Sequence, residues 1–264
     1  MKLLKLNPVT PGTRHQLRLS KNLLSKTDKF LKDASFGKKV LAGKSSINGR
    51  TTVWHKGGGC KQKYRHIDFS NLPSRSVSVC VTYDPNRNSF VSLNFDIVKK
   101  KFFRTLSTNF VYSGSLVSKG SKHLDLSLGN RTLIGSIPSG AIIHSLGSRC
   151  IPEKTVFGRS AGVFCQLVQK NLNECLVKMP SGFIKSFNSN SFATIGSVSN
   201  SQQNLVVIGK AGRNRLRGIK PTVRGVAMNP VDHPHGGRTN GGRPSVTPWG
   251  IPTKGKPTVK KSKS

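Results

Sequence analysis

The chain has 264 residues, and 44 Lys and Arg against 9 Asp and Glu give it a formal charge of +35 at pH 7. Charge of that density repels itself and favours a compact state only beside a polyanion, which excludes an ordinary self-sufficient enzyme. Hydrophobic residues make up only 34 %, and 27 Gly with 14 Pro predict one or two small domains with extended basic segments in place of one large core.

Residues 1–44 hold eleven Lys and Arg and two acids, Asp28 and Asp33, with weak apolar periodicity around Leu23, Leu24, Phe30 and Leu31. This predicts an irregular basic arm with at most one short helical turn. Over 45–118 the character changes. Val77, Val79, Val81 and Tyr83 alternate with Ser76, Ser78, Cys80 and Thr82; after Asp84-Pro85-Asn86-Arg87-Asn88, Val91, Leu93, Phe95 and Ile97 alternate with Ser92, Asn94 and Asp96. Period two on both sides of a turn cluster predicts a half-buried β-hairpin, with a third strand starting at Phe102-Phe103. Over 119–200, Gly129-Asn130, Ile137-Pro138-Ser139-Gly140 and Pro180-Ser181-Gly182 punctuate the apolar runs Val163 to Val168 and Cys175 to Met179, which predicts a second small barrel or sandwich. Over 201–264, and sharply from Gly209, apolar alternation ends, thirteen Lys and Arg face one acid, Asp232, and a basic tail unable to bury a core by itself is expected.

No apolar run approaches the roughly 18 residues of a membrane span, and Met1 to Pro11 lacks a secretory hydrophobic stretch, so no membrane partner is expected. Thr10-Pro11-Gly12-Thr13 interrupts the N-terminus too early for an amphipathic targeting helix. Five cysteines, Cys60, Cys80, Cys150, Cys165 and Cys175, form no CxxC pair and are odd in number, which argues for a reducing compartment and against a zinc knuckle or disulfide framework.

Three segments carry chemistry. In the first, Gly57, Gly58 and Gly59 are flanked by His55, Lys56, Lys61, Lys63 and Arg65, so backbone amides and cations can approach a phosphodiester chain together, with Tyr64 or Trp54 as a candidate to stack on an unpaired base. The alternative is a solvated basic loop; the spacing is not that of a nucleotide-binding P-loop. In the second, Lys210 precedes Arg213, Arg215 and Arg217, whose period of two predicts an extended chain with its cations on one side, suited to successive phosphates, followed by Lys220 and Arg224. In the third, Asn229-Pro230-Val231-Asp232-His233-Pro234-His235 places a carboxylate beside an imidazole. A catalytic pair or a metal site is conceivable, but no nucleophile or third ligand accompanies it. The favoured reading has Asp232 capping the turn while His233 and His235 donate to phosphate or ribose oxygens.

These segments together resemble the ribosomal L2 family, the universal protein two of the large ribosomal subunit in its bacterial and organellar form. The resemblance runs through Thr10-Pro11-Gly12-Thr13-Arg14-His15, Asn48-Gly49-Arg50, the triple-glycine loop, Tyr83-Asp84-Pro85-Asn86-Arg87, Arg159-Ser160-Ala161-Gly162, Gly209-Lys210-Ala211-Gly212 and Arg224 to Gly237. It implies an all-β fold: an oligonucleotide-binding-type (OB) barrel followed by an SH3-like barrel, with basic terminal arms threaded through rRNA. It implies no catalysis and no cofactor, with Mg2+ only as an rRNA counterion. The partners it implies are large-subunit rRNA, neighbouring ribosomal proteins and the small subunit across the interface, without a homo-oligomer. The family's implied roles are subunit association and assembly of the peptidyl-transferase region, and the implied rRNA contacts extend the segments above to Arg14, His15, Arg50, Arg159, Arg238, Arg243 and Trp249. Cys60, Trp54 and Leu216 stand where the family commonly has His, Arg and Trp. After Gly237 the usual Gly-Glu-Gly is replaced by Arg238-Thr239-Asn240-Gly241-Gly242-Arg243, a variant resembling mitochondrial members; location in a mitochondrial ribosome and synthesis inside the organelle are expected, with a bacterial cytoplasm or plastid as the alternative. The competing functions are a free RNA chaperone or regulator, and a transferase using His233 with Asp232.

Overall fold

The computed structural model describes residues 2–25, 35–38, 42–120, 125–147, 155–237 and 244–254, those of 35–38 by their backbone. The chain gathers into two compact units, Met1–Lys39 with Cys60–Arg213, and Val40–Gly59 with Asn214–Ser264.

The first unit is built on a ten-stranded sheet that winds through both barrels. The hairpin expected around the Asp84 turn forms from Ser74–Thr82 and Val91–Asp96, and the strand expected at Phe102 is Lys101–Leu106. Leu116–Lys119 closes against the other side of Ser74–Thr82. This is the OB barrel. In the turn, the Asp84 carboxylate accepts the Asn86 N–H at 2.9 Å, which fixes the reversal that the Asp-Pro-Asn sequence favours.

The hairpin departs from its expected half-burial. Ser92, Asn94 and Asp96 are buried as completely as Val91 and Leu93, while Val77, Val79 and Val81 are only partly covered and Ser76, Ser78 and Thr82 are buried. Both faces of the Val91–Asp96 strand are covered, so alternation there marks two different linings rather than one dry and one wet face. Two of the buried hydroxyls return a hydrogen bond to the sheet, Ser76 Oγ donating to Val117 O at 2.8 Å and Thr82 Oγ1 to Val91 O at 3.3 Å, whereas Ser78 Oγ and Ser92 Oγ are buried without a partner. A bulge at Val79, between the pairs Ser78↔Asn94 and Cys80↔Leu93, further interrupts the pattern.

The second barrel, SH3-like, contains Arg131–Leu133, Ile142–His144, Cys165–Lys170, Glu174–Lys178, Ile184–Asn188 and Phe192–Ile195. Turns fall at the expected Gly129-Asn130, Pro138-Ser139-Gly140 and Pro180-Ser181-Gly182 clusters, while Asn171-Leu172-Asn173 and Ser189-Asn190-Ser191 make two further turns without Gly or Pro. Ile134, Ile143, Leu146, Leu167, Val177 and Phe187 form the apolar core, and Phe157 meets Phe187 edge-on with centroids 5.6 Å apart. Full burial of each such aliphatic side chain contributes about 1.5–3 kcal/mol.

The barrels meet antiparallel at Thr108↔Val198 and parallel at Lys119↔Arg131, where charge is buried. Arg131 is 6 % exposed and donates to Asn71 Oδ1 (2.9 Å), Ser145 O (2.8 Å) and Thr155 Oγ1 (2.8 Å). Lys119 Nζ pairs with Asp68 at 2.8 Å. Burial alone would raise the Asp68 carboxyl, but the Lys119 charge and hydrogen bonds from Lys119 and Ser70 hold it below the usual range. Burial brings Arg131 down to about 10. His144 bonds Thr108 Oγ1 and Ser145 Oγ, each at 2.9 Å, and burial, then the Arg131 charge, push it down to about 3, so it is neutral.

The N-terminal segment is more regular than its composition suggests. Leu3–Lys5 pairs antiparallel with Leu17–Leu19 around a one-turn helix, Pro11–Arg14, and Gln16 is fully buried. Three-residue strands carry too little alternation to register in a sequence. Ser35–Lys38 pairs with Gln62–Arg65. Among the described residues no helix is long and apolar enough to cross a membrane.

Candidate nucleic-acid interface

The second unit holds fourteen Lys and Arg and a single acid, Asp232. The triple-glycine loop and the basic tail, separate in sequence, are joined in it by main-chain pairing. Gly57 N–H donates to Gly218 O at 2.9 Å, Lys220 N–H to His55 O at 2.9 Å, and Lys56 bridges Ile219. His55 Nδ1 lies 3.1 Å from Pro221 O and therefore carries the proton. Gly59 stands at φ +95, and a Cβ there would come within 2.7 Å of Gly218 N. These glycines thus bring two protein backbones together, and the Gly57 amide is already committed to Gly218 O. Gly58 faces open space, and the side chains of His55, Lys56 and Lys220 are exposed.

Arg50 closes a tight turn, its C=O accepting the Ser45 N–H at 2.8 Å and its own N–H held by Asn48 Oδ1 at 3.1 Å, with its side chain exposed. In the tail, Ala211–Leu216 is helical, contrary to the extended chain inferred from the Arg spacing. Ala, Arg and Leu are strong helix formers and no β-branched residue intervenes before Ile219, so local propensity outweighs the period-two pattern. Arg213 and Arg215 lie on this helix, Arg213 Nη1 donating to Ile208 O at 2.9 Å, and Arg217 follows it, exposed. Arg224 and Asn229 are exposed as well.

The histidine loop is organised by its backbone. Asp232 and His233 N–H both donate to Asn229 O, at 3.0 and 3.3 Å, and Gly236 N–H to His233 O at 2.8 Å. His233 is only 8 % exposed and lies so close to Gly225 that a Cβ there would stand 2.7 Å from the ring. Its Nδ1 accepts the His235 N–H at 3.0 Å. His233 is therefore a packed, structural histidine rather than the outward phosphate donor expected from sequence, because Gly225 leaves a seat for its ring. Asp232 is exposed, so the pair lacks the carboxylate-to-imidazole contact that general-base catalysis requires. His235 Nε2 lies 2.8 Å from Pro244 O and 3.2 Å from Val246 N; the shorter contact makes Nε2 a donor to the carbonyl. Among the described residues no group of three His, Cys, Asp and Glu could hold a metal ion.

Beyond this loop, Thr247 N–H donates to Ile251 O at 2.8 Å and Thr253 N–H to Ser245 O at 2.9 Å, forming a hairpin with Trp249 at its tip. Arg238 and Arg243 lie outside the described residues.

The remaining candidate residues belong to the first unit. Arg14, His15, Lys61, Lys63, Arg159 and Lys210 are exposed. Tyr64 is half-buried and meets His66 edge-on at 5.6 Å. Arg65 lies 3.7 Å from the fully buried Asp84 carboxylate, which also binds Arg87 Nε at 2.8 Å. Arg65 thus helps hold the Asp84 turn, and the Tyr83–Arg87 motif, read from sequence as a turn alone, supplies its anion. The Arg131, Lys119, Asp68 and His144 cluster was also invisible in sequence; its sole signal is charge embedded in strand-like surroundings.

Two barrels and an acid-poor basic unit make this an all-β protein with a polycationic extension. A family profile described as Ribosomal Proteins L2, RNA binding N-terminal domain, matches residues 35–118, and one described as Ribosomal Proteins L2, C-terminal domain, matches 127–250. The large ribosomal subunit protein uL2m of Reclinomonas americana is 43 % identical over 100 % of this chain and 95 % of its own length. The uL2 proteins of Wolbachia sp. subsp. Brugia malayi (strain TRS) and Ehrlichia canis (strain Jake) are 44 % and 42 % identical, over 98 % and 100 % of this chain and 94 % and 96 % of theirs. The chain belongs to the ribosomal protein L2 family, whose members are structural ribosomal components rather than enzymes.

Proposed function

We propose that this protein is a structural component of the large ribosomal subunit that binds large-subunit rRNA, and that it supports subunit association and the assembly of the peptidyl-transferase region. The observation that carries this reading is the second unit: its sequence holds fourteen cations against one acid, and the eight of those cations that are described lie on segments organised by main-chain bonds, with no buried hydrophobic side chain among the described residues. Exposed Lys and Arg neutralise crowded phosphates, while the backbone pairing fixes their spacing. The bound ions expected are Mg2+ counterions of the RNA; neighbouring ribosomal proteins and the small subunit are the expected protein contacts. A mitochondrial ribosome is the proposed location, on the full-length similarity to the Reclinomonas protein and the basic sequence that follows Gly237.

The test is a chain lacking residues 209–264. It is expected to yield soluble barrels that fail to enter mature large subunits; active, normally assembled subunits containing the truncated chain would refute the proposal.

A further inference from the structure

Trp54 and Trp249, the only tryptophans in the chain, come together in the second unit with ring centroids 6.1 Å apart and planes inclined at 42°. Their contact shelters neither: Trp54 is 56 % and Trp249 67 % exposed. Leaving two indoles in water forfeits the stabilisation that burying them would bring, and paired exposed apolar rings mark an interaction surface. Their positions are specified by the backbone. Trp249 stands at the tip of the Ser245–Thr253 hairpin, and Trp54 directly precedes His55, whose carbonyl and ring are tied to Lys220 and Pro221.

The chemistry around the pair selects the occupant. His55 and Lys56 follow Trp54, Lys220 lies over Gly57, and neither residues 42–59 nor residues 244–254 contain an acid. An apolar protein segment gains nothing from those cations, whereas a nucleotide carries both features in one unit, its base on an indole face and its phosphate beside an ammonium. We propose that Trp54 and Trp249 form a stacking platform for an unpaired RNA base, with Lys56 and Lys220 drawing in the adjoining phosphates. The platform rests on the rRNA-binding reading above and adds a site that selects unpaired over paired RNA.

Because both tryptophans belong to the platform, tryptophan emission, excited where the three tyrosines do not absorb, reports on it alone. The full chain is titrated with a labelled single-stranded RNA and with a hairpin of equal phosphate count, following RNA anisotropy for binding and protein emission for stacking. The single strand should quench the emission and the fully paired stem should bind without comparable quenching. Trp249→Ala should weaken single-strand binding by about 5- to 150-fold, the equivalent of about 1–3 kcal/mol for one stacked base, and Trp249→Phe should retain most of it. Single-stranded RNA that binds with unchanged emission, or a Trp249→Ala chain that binds it as well as the parent, would overturn the platform, leave rRNA binding intact and assign the surface to a protein partner. Absence of RNA binding at low salt would overturn the parent reading and the platform with it.

Discussion

Ile143, Leu167, Val177 and Phe187 are sealed inside the second barrel, whereas no hydrophobic side chain among the described residues of the loop-and-tail unit is buried. The barrels hide charge too, gathering Arg131, Lys119 and Asp68 where the two barrels meet. The loop-and-tail unit hides almost none: its order comes from main-chain bonds between Gly57 and Gly218 and between Lys220 and His55, and from a histidine ring seated on a glycine. A polycation can thus be shaped in two ways. Where a core exists, side chains set the geometry and a few cations can be enclosed. Where none exists, backbone pairing sets it and the cations remain outside, available to phosphate.

The sharpest way to break this contrast is to remove an enclosed cation. Arg131→Met strands the groups that the guanidinium joins and should lower stability by about 3–5 kcal/mol, measured by denaturant unfolding of the barrels. A loss under 1 kcal/mol would mean the junction is wet and the contrast overstated. Next in size, Leu167→Ala should cost about 2–5 kcal/mol in the same assay, whereas truncating Val223, exposed in the tail, should cost under about 0.5 kcal/mol.

Acid separates the regions more gently. His144 stays neutral in the folded barrels down to about pH 3, while the unfolded chain takes up a proton near the ordinary histidine value of 6.5. Its contribution is therefore complete above that value and is lost as pH falls from about 6.5 towards 3, at up to about 1.4 kcal/mol per pH unit. His144→Asn should flatten the pH dependence of the unfolding midpoint in that window; an unchanged slope would contradict the neutral, buried assignment. The smallest effect on unfolding is expected from Gly59→Val. At φ +95 and against Gly218 N, the new side chain should part loop from tail. Faster proteolysis beyond Asn214, with the barrel midpoint unmoved, is the expected outcome.

How much of this could be read from the residues follows the same division. The hairpin around Asp84 and the second barrel's Gly and Pro turns were legible, since a side-chain period and turn residues encode them; its Asn-rich turns at 171–173 and 189–191 were not. The burial of Ser76 and Ser78 was not, because alternation identifies two faces without saying that both are covered. In the tail, the cation count was plain but the conformation was not: a period of two in arginines is weaker than the helix propensity of Ala211–Leu216. The loop-to-tail pairing is nearly silent in sequence, since main-chain bonds need no particular side chain and the glycines could equally have faced phosphate. His233 illustrates the point, as its burial depends on the missing side chain of Gly225. The meeting of Trp54 with Trp249 likewise arises from long-range backbone geometry.

The central claim, that the basic tail supplies the main phosphate-binding charge, is tested most directly by the salt dependence of rRNA affinity for the full chain and for one ending at residue 208. If the interface neutralises about ten phosphates, the full chain should show a log–log slope near −9 by the duplex coefficient, and the shortened chain a slope shallower by several units. Equal slopes for the two chains would contradict the account.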